Sequence, residues 1–378
     1  MTRSGVLAAL VGTALVAAGW QLGWPALTVC GAVLVALCAA ALNVLVRRPQ
    51  LRIHRTVVPG RVAKGDVAVA HLEVTNRAPY SCPPVLAIQR FGNQPIASVL
   101  PRLGRSQSTV RTCRLPTSRR GRFLLGPVEI TREDPFGLVH VSRTQGDEQV
   151  VQVTPTIVDL DAAASGVVRN LDGYERATAQ HGTIVFHRIR EYVTGDDLRT
   201  VHWRSTARTG QLMVRHNIDV PQPHTVVVLD VAPQRYPDDQ FELAVDVAAS
   251  VAVTSAKGHA PVQLRPTVGR TVGRPGRSSI DTIIDELTII EALSGGSLHR
   301  CLERVRLEAN GTTLVIVTGQ LHHLDIPAVV ACRKRFNRVV VVNVGPVGAR
   351  SVPLVGIRTI PAPDLASFAD AWARTMGR

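Results

Sequence analysis

The 378-residue chain predicts a multidomain protein: an N-terminal transmembrane helical hairpin, a small β-sandwich, then an α/β doubly wound domain. Three observations carry this expectation. No charged residue lies between Arg3 and Arg47. Short alternating apolar runs, broken by turn residues, fill residues 51–155. After Pro223, continuous apolar strands alternate with amphipathic helical stretches. The implied divisions are 1–48, 49–155, a connector at 156–188, a polar segment at 189–222, and 223–378.

In the hairpin, Val6 to Leu22 and Ala26 to Val46 each approach the ~20 apolar residues needed to cross a bilayer. Gly19 to Pro25 supplies a tight turn between them, with Trp20 and Trp24 suited to an interfacial belt. Ala39-Ala40-Ala41 offers small residues for signal-peptide cleavage, but the uncharged run far exceeds an ordinary apolar region of about 7–15 residues. Arg3 precedes the hairpin, Arg47, Arg48, Arg52 and Arg55 follow it, and the turn carries no charge. Positive-inside asymmetry therefore places both ends, and the domains that follow, on the cytoplasmic side of the plasma membrane. The same arginines favour anionic headgroups. Six cysteines without a Cys-x-x-Cys spacing read as reduced thiols, which suits that compartment.

Strand candidates in the next region are Ala68 to Val74, Val85 to Phe91, Thr109 to Leu115, Phe123 to Ile130 and Val150 to Thr154. Asp134-Pro135-Phe136-Gly137 suits a type I turn, and Arg119 to Arg122 a hairpin tip. Residues 155–182 read as a connector with one short helix around Leu160 to Leu171.

Beyond it, Thr225 to Asp230 is a strand of the kind buried on both faces. Pro237-Asp238-Asp239 opens a helix whose apolar face is Phe241, Ala244, Val245, Ala248 and Ala252, stopped by Gly258. Val262 to Val268, Thr313 to Thr318, Arg338 to Asn343 and Ile357 to Ile360 are further strands. Helices are expected at 280–293, 298–307, 326–336 and 364–376.

The net charge of +14 admits nucleic acid, an anionic membrane surface or an acidic protein partner. The arginines are spread along the chain, and four Trp, four Tyr and seven Phe supply no stacking platform, so no nucleic acid is expected. Gly269 to Arg277 is glycine-rich and basic but lacks the Gly-Lys-Ser/Thr of a phosphate loop. His322-His323 has no matched third ligand for zinc.

The polar segment is the most distinctive stretch. Arg190, Glu191, Tyr192, Gly195, Asp196, Asp197, Arg199, His202, Trp203, Arg204 and Arg208 fall within twenty residues. Thr194 to Asp197 has capping-box spacing, Gly210 suits a left-handed stop, and Leu212, Val214, Ile218 and Val220 alternate as a strand. The order expected is turn, short helix, turn, strand. Arg204 and Arg208 lie four apart and need an anionic neighbour. An arginine–carboxylate junction with Trp203 buried in it would supply one. Breaking one partner of such a buried pair costs roughly 3–5 kcal/mol, as in Asp197→Ala or Arg204→Ala. A catalytic reading would use Asp196, Asp197 and His202 on an anionic substrate, with no spacing that couples Ser205 or Thr206 to His202 as a base.

Arg-Glu-Tyr, Gly-Asp-Asp, Arg199, His202-Trp203-Arg204 and Ala207 to Gly210 resemble the signature of the family called domain of unknown function 58. Arg119 to Gly121, Gly126-Pro127 and Asp134 to Leu138 resemble its earlier features. The resemblance implies a membrane-linked protein with a von Willebrand factor A-like domain after the signature, associated with MoxR-type AAA+ ATPases. It brings no catalytic assignment and no cofactor. In a von Willebrand A domain, Asp230 would open Asp-x-Ser-x-Ser, whose oxygens hold Mg²⁺. Here Ala232 and Gln234 replace both serines, and Thr318-Gly319-Gln320 lacks the next acid. No metal is therefore expected at this degenerate site, and Asp230 caps a turn. The function expected is an adaptor or scaffold with a protein partner. The alternatives are a hydrolase of an anionic substrate and a nucleic-acid or anionic-lipid binding module.

Overall fold

A computed structural model describes residues 3–46, 50–133, 138, 140–160, 184–193, 196–197, 200–219, 224–237, 240–258, 260–273, 280–309, 311–346 and 354–376. The expected turn at 134–137, the connector helix at 161–171, Gly195 and Arg199 lie outside the described residues. The chain forms two compact units, residues 1–154 and 155–378.

The first unit begins with α1 (Arg3–Leu22) and α2 (Pro25–Val46), packed against each other as a hairpin. Both are long and apolar enough to cross a membrane. Glycines let them approach closely. A Cβ on Gly31 would lie 2.7 Å from both the Gly12 carbonyl oxygen and the Val16 nitrogen, so a side chain there forces the backbones apart.

Ten strands follow: β1 (Leu51–Val58), β2 (Arg61–Ala63), β3 (Ala68–Asn76), β4 (Val85–Phe91), β5 (Gln94–Leu100), β6 (Ser108–Leu115), β7 (Gly121–Leu125), β8 (Val128–Glu133), β9 (His140–Gln145) and β10 (Gln149–Thr154). One sheet has the order β1-β3-β6. The other runs β2-β10-β7-β4-β8-β9, with β5 pairing β4. All pairs are antiparallel except β2 with β10. Leu51, Leu72 and Val74 of the first sheet share a core with Val85, Ala87, Leu100, Val128 and Ile130 of the second. The single strand expected over Phe123 to Ile130 is two strands, because Gly126-Pro127 interrupts it and Pro127 has no amide to donate to a ladder.

In the second unit, β11 (Ile184–Glu191) pairs antiparallel with β12 (Met213–Asp219), and α3 (Trp203–Thr209) lies between them in sequence. Then come β13 (Thr225–Leu229), a 3₁₀ turn at Pro233–Arg235, α4 (Phe241–Lys257), β14 (Val262–Pro266), α5 (Ile280–Ile289), α6 (Leu298–Glu308), β15 (Gly311–Thr318), α7 (Ile326–Cys332), β16 (Phe336–Val344), β17 (Arg358–Ala362) and α8 (Leu365–Met376). The five strands form a parallel sheet of order β14-β13-β15-β16-β17. Every residue of β13 is buried, so the strand reads as an unbroken apolar run. Its alternate residues serve two cores. Val227 and Leu229 pack with α4, α5 and α8, including fully buried Phe368 and Trp372. Val226 and Val228 pack with α6 and α7. Two of the expected helices are shorter than expected: α5 ends at Ile289 and α7 at Cys332, and Phe336 begins a strand.

The chain enters this unit through a strap on α4. Thr156 N donates to Asp246 Oδ1 at 2.9 Å, Val158 N to Ser250 Oγ at 3.1 Å, and Leu160 N to Thr254 Oγ1 at 3.3 Å. Two residues of extended chain advance about 6.6 Å and four of helix about 6.0 Å, so the two periods stay in step over three bonds. Ile157 and Leu160 pack against the α4 core, and Lys257 pairs with Asp159 at 2.5 Å.

Candidate functional site

The signature segment is built from the inside by a few polar side chains. Arg190, on β11, donates through Nη2 to Asp196 Oδ1 at 2.6 Å, and Asp196 Oδ2 accepts from Val193 N at 3.0 Å. The Arg190 guanidinium is held above its ordinary value by that hydrogen bond. Tyr192 N donates to Leu212 O and His202 N to Met213 O, which ties the turn and the start of α3 to the returning strand. Thr206 Oγ1 accepts from Met213 N at 3.0 Å, and Gly210 ends the helix at φ 74°.

Four expectations need correction here. The α-helix of the segment, α3, opens at Trp203 with His202, and not Thr194, as its cap. The segment also begins with a strand, β11, since Arg188 to Glu191 pair with β12 across a bulge between Phe186 and Arg188. Trp203 is not buried: it is 71% exposed. Asp197 and Arg204 are exposed as well, so they do not form the buried pair whose loss would be severe. Glu191 and Arg208 are likewise exposed, and Tyr192 is half-buried.

Sequence spacing also gave no link between Ser205 and His202, whereas the structure has one. His202 Nδ1 lies 2.8 Å from Ser205 Oγ and accepts from Ser205 N at 3.3 Å. Because Nδ1 accepts from the amide, the ring proton is assigned to Nε2. The arrangement matches a side-chain cap of a helix N-terminus.

A second group of polar side chains gathers at the carboxyl ends of β14, β13 and β15. The sheet order reverses between β13 and β15, the place where open α/β sheets bind ligands. Asp230 follows β13 and is fully buried. Its Oδ1 accepts from Ala232 N at 3.2 Å and Thr267 Oγ1 at 3.4 Å; its Oδ2 accepts from Thr318 Oγ1 at 3.0 Å and lies 3.7 Å from Arg235 Nε. Arg235 Nη1 donates to Asp325 Oδ2 at 2.7 Å and to Gln320 O at 2.8 Å. The Tyr236 hydroxyl donates to Asp230 O at 2.5 Å. Burial pushes the Asp230 carboxyl up, opposed by the Ala232 amide, Arg235 and Thr318.

A hard divalent cation does not fit this set as it stands. The Arg235 guanidinium already lies among the acidic oxygens, and Ala232 adds no side-chain oxygen. Asp230 does cap a turn, as its bond to Ala232 N shows. Sequence reading missed Arg235 and Asp325. It sought an acid directly after Thr318, whereas Asp325 returns to the site from further along the loop. His322 and His323 are exposed, and only the His322 backbone reaches Asp325, at 3.2 Å. In the basic loop, residues 274–277 lie outside the described residues.

No curated protein matches the chain. Solved structures with some likeness include the CARDB domain of the PF1109 protein from Pyrococcus furiosus in complex with di-metal ions, at 15% identity and TM-score 0.22, covering 28% of this chain and 90% of that one. The alkylpurine DNA glycosylase AlkC from Pseudomonas fluorescens, bound to DNA containing an abasic site analog, has 18% identity and TM-score 0.18, covering 36% and 42%. Cwp6 from Clostridium difficile has 14% identity and TM-score 0.22, covering 78% and 37%. Likeness at this level carries no conclusion about fold or function. Residues 188–368, from the end of the β11 ribbon into α8, match the family described as Protein of unknown function DUF58, the family whose signature the segment from Arg190 to Gly210 resembles.

Proposed function

We propose that the protein is a membrane-anchored, cytoplasm-facing adaptor that presents its signature ribbon to a protein partner. The family resemblance implies a MoxR-type AAA+ ATPase in that role. The observation that carries the reading is Trp203, 71% exposed at the first position of α3 while hydrogen bonds on either side fix the backbone beneath it. A large aromatic held in solvent on a pinned turn is the usual form of a docking anchor. Val193 and Leu212 are also exposed; the Tyr192 N to Leu212 O and His202 N to Met213 O bonds bring their chain segments to the start of α3. Arg204 and Arg208 add positive charge on the same helix, which favours an acidic partner surface. In this reading Arg190, Asp196 and His202 shape the segment, and Glu191, Asp197, Trp203, Arg204 and Arg208 meet the partner.

The rest of the reading rests on the architecture. The apolar hairpin supports two membrane spans at 1–48, and the shared core of two sheets supports a β-sandwich at 49–155. A single antiparallel bridge also joins Leu264 of β14 to Val272. The five-strand order, two-one-three-four-five in sequence terms, supports a doubly wound domain at 223–378, which the family resemblance makes von Willebrand A-like. The test is co-purification from native membranes. Wild type is expected to retain an AAA+ ATPase, and Trp203→Ala combined with Arg204→Ala to lose it. Equal recovery by both proteins, or turnover of a small molecule with no ATPase retained, would sink the adaptor reading.

The contact between His202 and Ser205 favours a second reading, hydrolysis of an anionic substrate with Asp196 and Asp197 nearby in sequence. It requires Ser205 to be labelled by a fluorophosphonate and the label to vanish in Ser205→Ala. A helix cap predicts no labelling in either protein.

A further inference from the structure

Five side-chain oxygens converge where β14, β13 and β15 end: both oxygens of Asp230, Asp325 Oδ2, and the hydroxyls of Thr267 and Thr318. Asp230 is 0% exposed and Asp325 2% exposed. Two carboxylates at that depth need a cation, since burial without one disfavours the charged form. That cation is Arg235, whose Nη1 is 2.7 Å from Asp325 and whose Nε is 3.7 Å from Asp230. The arginine also joins two loops, because Nη1 donates to Gln320 O in the turn after β15. Gly319 shows how closely these loops cross: a Cβ there would sit 2.1 Å from the Arg235 carbonyl oxygen.

We propose that Arg235 is the resident cation of this sheet end. It performs the loop-closing work that a divalent ion performs in an oxygen-lined strand-end site, so the α/β unit closes over its switch point without metal. The charge arithmetic supports the assignment. With Arg235 in place, the pair of carboxylates is offset by one positive charge; without it, two buried carboxylates and two hydroxyls remain, a hard-oxygen set matched to a divalent cation. The corollary is a gain of binding: a variant lacking the guanidinium acquires a cation site that the wild type does not have.

The test uses full-length protein in detergent and the solution electron paramagnetic resonance signal of free Mn²⁺. Wild type is expected to leave that signal unchanged. Arg235→Ala is expected to remove one equivalent at about 0.1–1 mM, the range of weak oxygen sites. Adding Asp325→Asn to Arg235→Ala should restore the free signal, which separates this site from acidic groups elsewhere. Arg235→Ser, which offers a further oxygen, is the second variant. The proposal is overturned if neither variant binds Mn²⁺, and failure of both to fold in saturating Mn²⁺ counts as failure to bind. It is equally overturned if wild type binds Mn²⁺ and Asp230→Asn abolishes that binding.

Discussion

Burial raises the Asp230 carboxyl above its ordinary value of 3.8, and the Ala232 amide, Arg235 and Thr318 oppose the shift without cancelling it. The folded protein therefore holds a proton that the unfolded chain has released once pH passes 3.8. Stability from this group is full below 3.8 and falls as pH rises through the raised folded value. In guanidinium unfolding across that window, wild type should lose stability relative to Asp230→Asn as pH increases and then level off. A difference that grows in the opposite direction would contradict the burial argument. Asp230 was legible in the sequence because it ends an apolar strand. Arg235 and Asp325 were not, since each comes from a loop and only the crossing at Gly319 brings them together. Trp203 was misjudged for a related reason. Tryptophan is mostly buried in proteins, and the side of α3 that faces solvent depends on where the helix starts, which the Thr194 spacing misplaced.

Strands with one clearly apolar face could be found from the sequence, and strands without one could not. Ala68, Ala70, Leu72 and Val74 alternate into the core, whereas most of β9 is exposed on both faces and offers no period to find. In β11 the bulge between Phe186 and Arg188 shifts the alternation by one residue, so a fixed period of two fails there. The strap on α4 was read as connector because its bonds run from backbone amides to a helix, with no repeat in its own side chains. Asp246→Ala removes the buried carboxylate that accepts from Thr156 N, so it should cost about 1–3 kcal/mol in urea unfolding. Ser250→Ala should cost a comparable amount, about 1–3 kcal/mol, because the buried Ser250 Oγ both accepts from Val158 N and donates to Asp246 O. In the hairpin, Gly31→Leu places a side chain against the Gly12 carbonyl and the Val16 amide. Spin labels on α1 and α2 should report a wider spacing than in wild type, and an unchanged distance would show that the helices do not pack through these glycines.

The order of parts along the chain was the most legible feature: apolar helices, antiparallel sheets, then a parallel sheet with helices, each with its own spacing of apolar residues. Net charge of +14 and the arginines flanking the hairpin lead to a prediction of topology. In intact cells, a membrane-impermeant maleimide should label Trp24→Cys in the turn between α1 and α2. A fluorescent protein fused after Met376 should fold and fluoresce in the cytoplasm. Labelling of a cysteine placed after α8, with Trp24→Cys protected, would reverse the orientation. The strap has a mechanical consequence for the membrane-anchored protein proposed above. Any pull arriving along the backbone from residue 154 reaches the Thr156 and Asp246 contact before it reaches the sheet, and then the two rungs behind it in turn. Under load these rungs are expected to yield one after another, a sequence that single-molecule pulling from residue 154 would read as stepwise lengthening.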